Sequence, residues 1–101
     1  MKLEEAVALL PTLDDEITIY ARRPWGRDAE SALVRETGVR YEDNDAIREA
    51  EAAGFEYFLE VHVAMEVLEV FGERPPTADE RFRLILHYAE YDAYPEWVYK
   101  R

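Results

Sequence analysis

The chain contains no cysteine, which excludes disulfides, thiolate metal sites and a cysteine nucleophile. Its two histidines leave few ligands for a closed zinc, iron or manganese site. No apolar run approaches the roughly 20 residues that a membrane-spanning helix needs. Residues 1–5 show neither the basic nor the apolar region of a secretory signal, so a cytoplasmic location is expected. Cations are scarcest in one stretch. Residues 41–73 carry ten carboxylates against a single cation, Arg48, and so hold −9 of the formal net charge of −11.

What is present argues for a folded protein. With 49% hydrophobic and 13% aromatic residues, the 101-residue chain can bury a core despite its charge. Its length fits one domain, residues 1–101, with no room for a second core. A net charge this far from zero aids solubility and strains the compact state through self-repulsion. Its confinement to one third of the chain predicts a face presented to a basic partner.

Local patterning predicts an α+β fold, a short antiparallel sheet packed against three to four helices. Leu3, Val7 and Leu10 stand at helical spacing, so residues 2–10 read as a short helix closed by Pro11. Ile17, Ile19 and Ala21 alternate with Thr18 and Tyr20, which predicts a strand over 16–21. Residues 31–36 read as a second strand that pairs antiparallel with the first. Gly38 and the Glu42-Asp43-Asn44-Asp45 run end that region. Residues 46–53 read as a helix, with Gly54 placed for a left-handed cap.

Residues 55–72 admit two readings. As one helix, Tyr57, Val61, Ala64, Leu68 and Phe71 form a buried stripe opposite His62, Glu66, Glu69 and Glu73. As a strand followed by a helix, Phe55, Tyr57, Leu59 and Val61 share a face and Glu56 and Glu60 point away. The continuous helix is preferred, because no glycine, proline or capping residue separates the halves. It leaves Glu60 partly buried and in need of an arginine partner from the first half of the chain. Beyond Pro75-Pro76, Thr77 and Glu80 form a capping box that starts a helix at Ala78. Its expected buried face is Phe82, Ile85, Leu86, Ala89 and Ala93. Pro95 ends it, and residues 96–99 are expected to dock as an extended tail.

Few constellations carry chemistry. His62, Glu66 and Glu69 share a helical face at metal-ligand spacing, but a solvated charged face, with His62 beside its neighbouring carboxylates, is the preferred reading. His87 reads as part of a surface pair with Arg83 and Glu90. The Asp14/Asp15, Asp43/Asp45 and Asp79/Glu80 pairs fall in loops or a helix start, where acids are expected without acid–base work. The basic segment Arg22-Arg23-Pro24-Trp25-Gly26-Arg27 offers three cations, too few for phosphate-backbone affinity in a chain of −11, so no direct nucleic-acid binding is expected. Its expected use is internal, with the arginines facing the acidic block or Trp25 covering the end of the sheet. Tyr88, Tyr91, Tyr94, Trp97 and Tyr99 supply the kind of rigid amphipathic surface that dominates binding hot spots.

The segments Ile19-Tyr20-Ala21-Arg22-Arg23-Pro24-Trp25, Tyr57-Phe58-Leu59-Glu60-Val61 and His87-Tyr88-Ala89-Glu90-Tyr91-Asp92-Ala93 resemble, in this order, a family of small uncharacterised bacterial proteins of unknown function. The resemblance implies a freestanding single domain of bacterial or phage origin and carries over no activity, cofactor or catalytic residue. By size and charge alone the chain also looks like immunity proteins, antitoxins and phage-encoded inhibitors.

The reading that follows is a non-enzymatic protein-binding module without a cofactor, an immunity- or antitoxin-like inhibitor of a basic partner such as a toxin or nuclease. Glu66, Glu69 and Glu73 would steer that partner, and Tyr91, Tyr94 and Trp97 would supply the desolvated contact. A nucleic-acid mimic of the phage anti-defence kind is the first alternative, and a small metal-binding protein or enzyme built on His62 is the second. Association of the chain with itself is left open.

Overall fold

The computed structural model describes residues 1–35 and 45–101. Its elements follow in the order α1 (Leu3–Ala8), β1 (Ile17–Ala21), β2 (Ser31–Arg35), α2 (Asp45–Ala52), β3 (Glu56–Glu60), α3 (Val61–Leu68) and α4 (Ala78–Tyr91), with 3-10 turns at Leu10–Thr12, Glu69–Phe71 and Glu96–Lys100. The fold is α+β, as expected. The three strands form one antiparallel sheet in the order β2-β1-β3. Gly38 and residues 42–44 of the acidic run lie outside the described residues, as does Glu36 at the end of the expected second strand.

β1 is the centre of the molecule, and its alternation conceals a second buried face. Ile19 and Ala21 enter the larger core with Leu59 and with residues of α1, α3 and α4, and Ile17 and Leu33 pack against it. Tyr20 points the other way, into a smaller core with Val34, Ile47 and Ala50 of α2 and with Phe55. Thr18 and Tyr20 are therefore as buried as their neighbours. Their polar tips made them resemble a solvent face, but α2 supplies a cover for that side.

The continuous helix over 55–72 is overturned. β3 pairs with β1, and α3 begins only at Val61. Glu60, in extended conformation, is the residue at which the strand becomes a helix, and it makes no side-chain cap bond there. No local signal marks the junction, since what extends this segment is the free edge of β1, whose backbone groups need a partner. The strand also escapes simple alternation. Ile19 stands opposite Leu59 and Tyr20 opposite Tyr57, so Phe58 is an extra residue bulged into the ladder. Phe58 and Leu59 are both buried, whereas Tyr57 is 44% exposed and meets Tyr20 edge to face at 6.2 Å between ring centroids.

Smaller expectations also shift. Pro11 lies inside a 3-10 turn rather than closing the first helix, which ends at Ala8. Among the described residues Glu60 has no arginine partner of the kind expected; it accepts from the Tyr57 hydroxyl at 3.4 Å and faces His62 Nε2 at 3.3 Å. Ala93 is exposed, because α4 stops at Tyr91 and Asp92 takes a left-handed conformation with φ 53°. Leu84 is fully buried instead, since α1 and α3 both pack against α4 and bury more than one stripe of it. Gly54, at φ +91°, does reverse the chain after α2, a conformation that L side chains rarely adopt.

The bulge makes a test of register. Phe58 packs edge to face on Trp25 with centroids 4.9 Å apart. Phe58→Ala is expected to lower the unfolding free energy by about 3–5 kcal/mol. Tyr57→Ala, which removes the contact with Tyr20 from a half-exposed position, is expected to cost about 1 kcal/mol. Urea denaturation of both variants measures the difference, and equal costs would contradict the inward placement of Phe58.

Candidate functional site

The surface of interest is assembled by the return of the C-terminal segment along α4. The helix starts as expected: the Thr77 backbone N–H donates to Glu80 at 2.9 Å and the Glu80 N–H donates to the Thr77 hydroxyl at 3.1 Å. After Asp92 the chain doubles back. Tyr94 stacks beside Tyr88, Trp97 lies under Arg83, and Arg101 reaches Glu80, so the segment runs antiparallel to the helix. It is a 3-10 turn with Val98 buried in the main core, not an extended tail.

Arg101 holds this segment in place. Its Nε donates to Glu80 at 2.9 Å, and its terminal nitrogens donate to the carbonyls of Arg74 and Pro75, each at 3.2 Å. The guanidinium lies over the Phe71 ring, 4.4 Å from its centroid, and the side chain is only 10% exposed. One arginine thereby ties the end of α3, the double-proline turn and the first turn of α4 to the last residues of the described chain.

Two neighbouring features result. The first is an open groove of about 460 Å³ lined by Arg83, Leu86, His87 and Glu90 of α4 together with Tyr91 and Trp97. His87 packs against Tyr91 with ring centroids 4.7 Å apart. Arg23 closes one rim by gripping both Glu90 oxygens, at 2.8 and 2.9 Å, while lying over Trp25. The second feature is a series of tyrosines. Tyr88 and Tyr94 meet edge to face at 5.6 Å, and Tyr94 and Tyr99 follow at 6.4 Å.

Of the carboxylates expected to steer a partner, Glu66 acts on the second feature through Tyr88. Glu66, Glu69 and Glu73 are all exposed. Burial pushes the Tyr88 phenol above its ordinary value, and the charges of Asp92 and of Glu66 across the α3–α4 interface push it the same way. Glu69 and Glu73 flank Phe71, against which Trp97 packs at 6.4 Å. Of the six residues expected to bind a partner, Tyr91 and Trp97 thus line the groove, Tyr94 sits among the tyrosines, and the three glutamates follow α3 and the turn after it. Sequence reasoning missed the groove, although Arg83, Leu86, His87, Glu90 and Tyr91 share one helical face at spacings of three and four, because His87 read as a surface charge pair with Arg83 and Glu90 and Leu86 as part of the buried face.

The basic segment is used mostly inside the fold. Trp25 donates its indole N–H to the Ala21 carbonyl at 3.2 Å and so covers the end of β1. Arg27 pairs with Glu4 at 3.0 Å and with Asp79. From the acidic stretch, Glu56 meets one of these arginines, Arg23, at 3.6 Å. Among the described residues no group of three His, Asp or Glu side chains is placed to hold a metal ion, and no helix is long and apolar enough to cross a membrane.

No protein-family model, curated protein or solved structure matches the chain. The functional reading rests on the geometry alone.

The clamp has a pH signature. The Thr77 backbone N–H, and then Arg101, hold the Glu80 carboxyl below its ordinary value of 4.5. A carboxylate depressed in the folded state adds stability that is complete above its unfolded value and is lost as pH falls through its folded value. Glu80→Gln keeps a capping amide and removes the charge. The thermal midpoint of the wild type is therefore expected to exceed that of Glu80→Gln at neutral pH, with the gap closing below pH 4.5. A gap independent of pH would show that the charge of Glu80 does not hold the segment.

Proposed function

We propose that this protein is a non-enzymatic, acidic protein-binding module, an immunity- or antitoxin-like inhibitor of a basic partner. The observation that carries this reading is the meeting of two features distant in sequence. The aromatic C-terminal segment docks on Phe71, which Glu69 and Glu73 flank in sequence, and on Tyr88, on which the charge of Glu66 acts. Exposed carboxylates steer a basic protein into encounter and fix its orientation, while half-buried aromatics supply rigid contact area that loses water on docking. Tyr94 and Trp97, anchored through Val98 and Arg101, lose little conformational freedom when a partner arrives.

The test begins with capture of basic proteins from a lysate of the host on the immobilised chain, eluted by a salt gradient. The association rate of a stoichiometric partner is then measured for the wild type and for the triple variant Glu66→Lys, Glu69→Lys, Glu73→Lys. At low salt the variant is expected to associate about 10- to 1,000-fold more slowly, with the difference shrinking as salt rises. Equal rates, or a column that retains nothing, would overturn the reading. If the partner is a nuclease, competition by a short DNA duplex would assign the bound surface to its nucleic-acid groove.

A further inference from the structure

Five arginines of the chain lie on aromatic rings: Arg22 on Phe55 at 4.5 Å, Arg23 on Trp25 at 3.5 Å, Arg27 on Phe82 at 4.7 Å, Arg83 on Trp97 at 4.6 Å and Arg101 on Phe71 at 4.4 Å. All five rings belong to phenylalanine or tryptophan. Among the described residues, Tyr88, Tyr94 and Tyr99 carry no such cation. Tyr99 is 68% and Tyr94 38% exposed. Tyr94 touches Tyr88, whose charged neighbours are negative. Glu66 and Asp92 act on Tyr88, and Lys100, the nearest cation in sequence, is paired with Glu96 at 3.1 Å.

We propose that Tyr94 and Tyr99 form a seat for an arginine side chain of a basic protein segment. The proposal deepens the protein-binding reading above and rests on it. An aromatic face carries negative electrostatic potential and attracts a cation, more strongly once water is displaced. Arginine fits better than lysine, because its planar, weakly hydrated guanidinium stacks on a ring and still directs its edge donors at carboxylates. The net charge of −11 favours a cationic occupant over a neutral or anionic one. The two rings, 6.4 Å apart at a 56° angle, form a shallow corner rather than a deep cage, which suits a side chain arriving as part of a larger interface.

The experiment titrates the full chain, with its tyrosine rings isotopically labelled, with an acetylated and amidated Gly-Arg-Gly-Arg-Gly peptide and with the same peptide carrying citrulline in place of arginine. Citrulline preserves shape and removes charge. Saturable shifts of the Tyr94 and Tyr99 ring signals are expected with the arginine peptide only. The double variant Tyr94→Leu, Tyr99→Leu is expected to weaken its binding about fivefold or more, whereas Tyr94→Phe, Tyr99→Phe, which keeps both ring faces, stays within about twofold of the wild type. Thermal midpoints establish that both variants are folded. Equal shifts with citrulline, unchanged affinity in the leucine variant, or a loss in the phenylalanine variant as large as in the leucine variant would each overturn the seat. Peptide binding abolished by the triple lysine variant but untouched by the leucine variant would discard the seat and keep the acidic module; binding altered by neither variant would discard both.

Discussion

Every layer of the domain depends on the double burial of β1. Five residues, Ile17–Ala21, divide the interior, with Ile19 and Ala21 serving one core and Tyr20 the other. Both edges of the strand are paired as well, so its backbone groups are satisfied by β2 on one side and β3 on the other. That demand explains why residues 56–60 extend although they abut a helix with no intervening break. It also explains the bulge at Phe58, which brings two consecutive large side chains of one strand into the interior and seats Trp25 over the end of the sheet.

The candidate surface depends on a second constraint, the return of the C-terminal segment along α4. Three contacts fix its path: Tyr94 with Tyr88, Trp97 between Phe71 and Arg83, and Arg101 with Glu80. The last is the tightest, because it combines a charge-assisted hydrogen bond, two bonds to backbone carbonyls and stacking on Phe71. Glu80 serves both the helix cap and this clamp. Local capping chemistry and the position of the aromatic surface are thereby coupled through one carboxylate.

The distribution of arginine gives the surface its character. The arginines of the loop after β1 are drawn onto Phe55, Trp25 and Phe82, and two of the three also meet carboxylates. From the acidic stretch Glu56 meets Arg23 of this loop, while Asp45 pairs with Arg48 and Glu60 faces His62 within the stretch. Glu66 of α3 and Tyr88 of α4 come close where the two helices pack together.

Thr77 and Glu80 were legible because a capping box joins residues three apart, and so was the pairing of residues 17–21 with 31–35, from alternation and a short connection. The 55–72 segment misled because helical and extended patterns overlap in Tyr57-Phe58-Leu59, and propensity yields to the hydrogen bonds that a neighbouring strand offers. The groove was missed because Arg83, His87 and Glu90 look like an ordinary polar face until Trp97 closes over them. By itself the sequence determined the α+β class, the start of α4, the lack of thiol chemistry and the concentration of negative charge, all properties of composition or of neighbours along the chain. Only the tertiary structure decided that both faces of β1 are buried, that residues 56–60 are a strand and that Tyr94, Trp97 and Arg101 lie along α4, because each depends on partners brought near by folding rather than by sequence.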